Sequence, residues 1–157
     1  MYVSGDDMSI WAFDAATGEE RWRFQTNQYL NTSPLLSPDG GVVFVGEHFS
    51  LGDYMYALSA STGEKLWQYR EGSQYAYGLA TLSDGTLLAG WGSGRVYAFA
   101  TNNSTDPVKW PRWHGNNVAW QIGMGADFAT ESAAVHSDGT LAVALTNGKI
   151  IALQLAV

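Results

Sequence analysis

Ala12-Phe-Asp-Ala-Ala-Thr-Gly-Glu-Glu-Arg-Trp22 returns as Ala57-Leu-Ser-Ala-Ser-Thr-Gly-Glu-Lys-Leu-Trp67. The copies stand 45 residues apart, with Ala, Thr, Gly, Glu and Trp at identical places. A period in the forties marks stacked supersecondary units, and propeller blades are the common case. The reading therefore starts from architecture: each unit is too small to bury its own apolar face and must stack on a neighbour.

Other marks keep the rhythm. Asp39-Gly40, Asp84-Gly85 and Asp138-Gly139 each precede a short apolar run, as in Val42-Val-Phe-Val45 and Thr86-Leu-Leu-Ala89. Asp-Gly between apolar runs predicts a hairpin, with the type I′ turn that needs positive φ at both central residues. After each run comes a small unit centred on Ala: Tyr56-Ala57-Leu58, Tyr97-Ala98-Phe99, Ile151-Ala152-Leu153, and at the start Trp11-Ala12-Phe13. Near-continuous apolar strands suit sheets covered on both faces, which blades sandwiched between blades require.

The fold class read from this pattern is all-β: a β-propeller of four-stranded antiparallel blades, with about four partly incomplete blades in a single domain spanning residues 1–157. The units fall at about 1–26, 27–72, 73–116 and 117–157. Strands are predicted at 1–4, 10–14 and 21–25; at 33–36, 42–45, 54–59 and 65–69; at 78–82, 86–89 and 96–100; and at 132–135, 141–145 and 150–155. The first unit lacks its inner strand and the fourth its outer one. Raw blade faces exceed the apolar area a monomer tolerates. The expectation is a fragment or half-ring of a larger propeller, self-associating through open blade faces, or else a small closed ring.

Composition narrows the functional classes. The 157 residues include 18 Gly, 7 Trp, 8 Tyr and 6 Phe and no Cys, so disulfides, thiolate catalysis and Cys-ligated metals are excluded. A net charge of −7 with 8 Lys and Arg disfavours nucleic acid and anionic membrane as partners. No apolar run reaches the roughly 18 residues of a membrane-spanning helix, so no membrane insertion is expected. The start, Met1-Tyr-Val-Ser-Gly-Asp-Asp, has neither basic nor apolar leader character and reads as the middle of a repeat.

The spacing Ala12-x-Asp14-x-x-Thr17-Gly18-x-x-x-Trp22 resembles the tryptophan-docking repeat of quinoprotein (PQQ-like) β-propellers. That repeat also occurs in non-enzymatic outer-membrane-protein assembly propellers and in PQQ-like sensor domains. The resemblance implies that Thr-Gly forms a turn and that Trp stacks on the next blade. It carries these roles to Thr17, Gly18, Trp22, Thr62, Gly63 and Trp67; the small Ala57 is read from packing, as letting neighbouring sheets approach closely. Unit two departs from it, with Ser59 in place of Asp; in unit three Ala98 and Trp110 alone match. An extracytoplasmic location is what such a resemblance implies.

Each candidate site has a plainer reading. The three turn Asp residues are read as turn chemistry. Gly90-Trp-Gly92-Ser-Gly94 precedes a strand, whereas a phosphate loop must open a helix. His48, His114 and His136 have no metal-ligand spacing, so no metal or catalytic residue is assigned. Two departures from the repeat carry more information. The loop Glu47-His48-Phe49-Ser50-Leu51-Gly52-Asp53 is enlarged, and residues 101–128 stretch the Asp-to-Asp spacing from 45 to 54 around Trp110-Pro-Arg112-Trp113-His114 and Trp120. Loops on a rigid scaffold are where binding groups sit, and Trp and Arg are the preferred anchors. His48, Phe49, Arg112, Trp113, His114 and Trp120 are the candidate partner-binding residues. The functional reading is a non-catalytic protein- or peptide-binding scaffold without cofactor. The alternative is a fragment of a PQQ- and calcium-dependent quinoprotein dehydrogenase.

Overall fold

The computed structural model describes residues 1–30, 32–47, 54–70, 76–81, 85–91, 95–99, 118–123, 133–136, 138, 140–144 and 150–154. They form antiparallel sheets of three or four strands, with no helix among the described residues. Two compact units divide the chain, Met1–Ala76 and Tyr77–Val157.

In the first unit, β1 (Tyr2–Gly5), β2 (Ser9–Phe13) and β3 (Glu20–Gln25) make a three-stranded meander. β4 (Leu35–Leu36), β5 (Val42–Gly46), β6 (Met55–Ser59) and β7 (Lys65–Tyr69) make a four-stranded one. β4 is only two residues long because Pro34 has no N–H to give the ladder. In the second unit, β8 (Ala76–Thr81), which starts at the boundary, joins β9 (Leu87–Trp91), β10 (Arg95–Phe99) and β11 (Val118–Gly123). β12 (Ala133–Val135), β13 (Thr140–Ala144) and β14 (Ile150–Gln154) complete the order. These are the meanders of propeller blades, and every predicted strand has its counterpart. β11 was not predicted, and it carries the third sheet past the residue 116 at which that unit was expected to end.

One register recurs through the first three sheets. Ala12 faces Trp22, Ala57 faces Trp67 and Ala98 faces Trp120. A bulge follows each Ala, so the residue before each Trp is the extra one: Arg21, Leu66 and Ala119. A bulge bends its strand and strengthens the local twist. The position facing Ala98 thus belongs to Trp120, and Trp110 lies outside the described residues.

The turns between these strands are built by their own side chains. Asp14 Oδ1 accepts the N–H groups of Ala16 (2.8 Å) and Thr17 (3.1 Å), and Gly18 closes the turn at φ 74°. Ser59 takes the Asp role in the second copy: its Oγ accepts Thr62 N–H at 3.3 Å, and Gly63 again has φ 74°. The β4–β5 hairpin exists as expected, but its turn is not type I′. Gly40 takes the positive φ, whereas Asp39 does not. Asp39 instead uses its carboxylate to accept Ser37 Oγ–H (2.6 Å) and Gly41 N–H (3.1 Å).

The core of the first unit lies between its two sheets. Ile10, Ala12, Trp22 and Leu30 pack on Val43, Val45, Tyr56, Leu58 and Ala60. Trp22 crosses this interface: its Nε1–H donates to Ala60 O at 3.0 Å, and Tyr2 Oη–H donates to the same carbonyl at 3.0 Å. β5 and β6 are buried at every position, as a sheet covered on both faces must be. Leu87, Leu88, Ala89, Tyr97, Ala98 and Phe99 are the buried heart of the third sheet.

Candidate functional site

Glu47, just past β5, is completely buried. A buried carboxylate is tolerated when every lone pair finds a donor. Its Oε1 accepts Asn27 N–H (2.8 Å), Gln28 N–H (3.1 Å) and Tyr56 Oη–H (2.8 Å), and its Oε2 accepts Tyr54 N–H (2.9 Å). The backbone closes the same ring, with Glu47 N–H donating to Tyr54 O at 2.9 Å. Burial first, then the Glu47 carboxylate beside it, pushes the Tyr56 phenol well above its ordinary range, so Tyr56 stays a donor. Glu47 and Tyr54 flank residues 48–53, and this side-chain lock ties the end of β5 to the start of β6.

The lock extends along one rim of the first unit. Asn27 Nδ2–H donates to Tyr56 Oη at 3.1 Å. Thr26, next to it, donates through N–H (2.8 Å) and Oγ1–H (2.7 Å) to the carbonyl of Met8, in the β1–β2 turn. Met8 holds a left-handed φ of 61°, which a non-glycine residue adopts when its surroundings insist. Beside that turn, Trp11 and Arg23 present a half-exposed pair: the guanidinium lies 4.4 Å from the ring centroid and reaches Asp7 at 3.2 Å. The β1–β2 turn, residues 26–28 and the end of β5 are therefore one hydrogen-bonded surface.

With blade topology, Ala–Trp register and docking turn all in place, the comparisons with known proteins decide the family. Residues 1–111 match the family described as outer membrane protein assembly factor BamB. The chain belongs to the BamB family. Among solved structures, the crystal structure of BamB from Moraxella catarrhalis matches at a TM-score of 0.73 and 22% identity, covering 98% of this chain and 42% of that one. That likeness carries the propeller fold, and the chain spans less than half of that relative's length. No curated protein matches the chain.

Within the BamB-family frame, the expected sites sort unevenly. Ala12, Asp14, Thr17, Gly18, Trp22, Ala57, Thr62, Gly63 and Trp67 lie on the strands and turns described above. Of the partner-binding candidates, His48, Phe49, Arg112, Trp113 and His114 lie outside the described residues. Trp120 stands on β11 in register with Ala98. The turn carboxylates are engaged locally: Asp138 Oδ1 accepts Thr140 N–H at 2.8 Å and pairs with exposed His136 at 3.0 Å. Among the described residues, no three of His, Asp and Glu come together as a metal-binding group. Sequence reading missed the Glu47–Tyr56–Asn27 lock. Its one signal was an acidic residue directly after the all-apolar run of β5.

Proposed function

We propose that this chain is a non-catalytic BamB-like propeller module that holds a protein or peptide partner through loops on one rim, with no cofactor of its own. The observation that carries the reading is the Glu47 lock. A buried carboxylate with four donors is a costly way to fix a loop root, and it serves a loop whose position matters. Residues 48–53, with His48 and Phe49, are the first contact segment. Arg112, Trp113 and His114 supply aromatic and cationic anchors of the kind that dominate interfaces. Family membership supports a partner from an outer-membrane protein assembly machinery, in an extracytoplasmic compartment. Trp120, on β11, is a further candidate anchor of this surface. Self-association through open blade faces belongs to the same reading.

Site-specific photocrosslinking tests it. A crosslinker at position 48, 49 or 113 is expected to capture a defined assembly-machinery protein, whereas one at exposed Glu64, on the β6–β7 turn, captures none. Equal capture from both positions, or none from the loops, removes the loop reading. Titration with PQQ plus calcium, followed by absorbance, is expected to give no saturable change; saturation would turn the assignment to a quinoprotein fragment. Light scattering at micromolar concentration is expected to report a dimer, and a clean monomer would end the self-association part.

A further inference from the structure

β2, β6, β10 and β14 carry the repeated Ala12, Ala57, Ala98 and Ala152, so the connections that lead into them are equivalent. The stretch between β9 and β10 contains Gly92 and Gly94, and that between β13 and β14 contains Gly148. Glycine takes a positive φ without steric cost. The first two units depart from this. The β1–β2 turn is Asp6-Asp7-Met8, and Met8 holds φ 61° while carrying a side chain. The β5–β6 connection is the enlarged one, running from Glu47 to Tyr54. A strained backbone persists where its surroundings over-determine it.

Three donors converge on the Met8 carbonyl: Thr26 N–H at 2.8 Å, Gln25 Nε2–H at 2.8 Å and the Thr26 hydroxyl at 2.7 Å. Thr26 is buried. Its Oγ1 also stands 2.8 Å from Gln28 O, so a single hydroxyl proton is shared between the β1–β2 turn and residue 28. The next two residues, Asn27 and Gln28, send their N–H groups to Glu47 Oε1 at 2.8 and 3.1 Å. Glu47 Oε2 in turn accepts Tyr54 N–H at 2.9 Å. Contacts thus run without a gap from Met8 through Thr26 and Gln28 to Glu47 and Tyr54. Thr26 is the one side chain in this row that grips both segments, and its β-branch holds χ1 stiffly.

Resting on the loop-borne reading of the proposed function, we infer that the partner surface extends from the Glu47–Tyr54 segment to the β1–β2 turn, and that Thr26 is the positioning residue that holds the two as one unit. Thr26 is buried and does not meet the partner. It acts through others: it aims the Asn27 and Gln28 N–H groups at Glu47 and keeps Met8 at a φ its side chain disfavours. A surface built from two connections gains from such preorganisation, because a connection left free would have to be ordered when the partner binds. Valine has nearly the same shape as threonine and no hydroxyl, so it keeps the Thr26 backbone bond to Met8 and loses the shared one.

Photocrosslinkers at position 6, on the β1–β2 turn, and at position 48 of the full chain are expected to capture the same protein. One at exposed Ala16, on the β2–β3 turn at the other end of the sheet, is expected to capture none. Thr26→Val is expected to lower the yield at position 48 more than about twofold and to speed hydrogen exchange at the Asn27 and Gln28 amides about fivefold, the equivalent of one hydrogen bond. Thr26→Ser keeps the hydroxyl and is expected to restore both readouts. Gly18→Ala, a destabilising change at the far end of the sheet, is expected to leave both unchanged; an equal loss there would reduce Thr26 to general stability and overturn the inference. Unchanged exchange in Thr26→Val, or a Thr26→Ser variant that behaves like Thr26→Val, would overturn the positioning role. Capture at 48 without capture at 6 would overturn the shared surface, and this arm needs no change at Thr26, so it decides even if Thr26→Val misfolds. Capture at neither position removes the loop-borne reading itself and this inference with it.

Discussion

The indole of Trp22 packs closely on Gly63: a Cβ placed on Gly63 would come within 2.6 Å of Trp22 Cε3 and 2.7 Å of Cδ2. One sheet's tryptophan is therefore seated on the glycine of the next sheet's turn, while its N–H caps Ala60 O three residues earlier. The repeat's Trp and its Gly are the two halves of one inter-blade contact.

Gly63→Ala and Gly18→Ala separate conformation from docking. Both glycines have φ 74°, but nothing lies within 4 Å of a Cβ on Gly18. Gly18→Ala is expected to cost about 1 kcal/mol in left-handed strain. Gly63→Ala adds an overpacking penalty, for roughly 3 kcal/mol in all. Thermal unfolding reads the difference, at roughly 2–4 °C per kcal/mol for a chain of this size.

Trp120→Ala is expected to destabilise the chain as Trp22→Ala does, by about 3–5 kcal/mol, because its register with Ala98 repeats that of Trp22 with Ala12. Trp110→Ala is expected to cost less. Urea unfolding of the three variants checks this; a loss confined to the Trp110 variant would contradict the register argument.

Glu47→Gln places a donor amide where three backbone N–H groups and a phenol all donate. It is expected to destabilise by about 2–4 kcal/mol, since hydrogen bonds to charged groups are the strong ones and a buried mismatch is expensive. Tyr56→Phe is expected to cost about 1–2 kcal/mol, and the double variant less than the sum, because both act in one network. Denaturant titration gives the cycle. In addition, Glu47→Gln is expected to lower the loop crosslinking yield at position 48.

Acid should weaken the fold in a defined window. The Arg21 side chain, then the Ala16 and Thr17 N–H groups, hold Asp14 down to about 2 from its ordinary 3.8. Asp138 is likewise held at about 2 by Thr140 and then His136. Folding thus favours the ionised forms. Their contribution is fully present above pH 3.8 and is lost as pH falls through about 2. Asp14→Asn is expected to flatten the acid limb of a stability-against-pH curve between these values and to lower stability above pH 3.8, where the ionised carboxylate contributes in full.

Much of this was legible in the residues because a repeat compares the chain with itself. Ala57, Thr62, Gly63 and Trp67 told the same story as Ala12, Thr17, Gly18 and Trp22, so strand order and turn positions followed. β11 escaped because Trp120 follows Ala98 by 22 positions, whereas Trp22 follows Ala12 by 10; spacing cannot register a strand across an insertion of different length. The Asp39 turn escaped in its detail, since the Asp-Gly pair specifies a reversal but not which residue takes the positive φ. Glu47 escaped because an acidic residue at a loop start is ordinarily solvated, and burial with four donors depends on segments 7 to 20 residues away.

The sequence by itself determined the blade: apolar alternation, turn residues and a period are local properties, written within a few tens of residues. What the tertiary structure alone decided is where blades meet. The seating of Trp22 on Gly63 and the donors around Glu47 each need two segments distant in the chain to arrive at one place. Only packing brings them there.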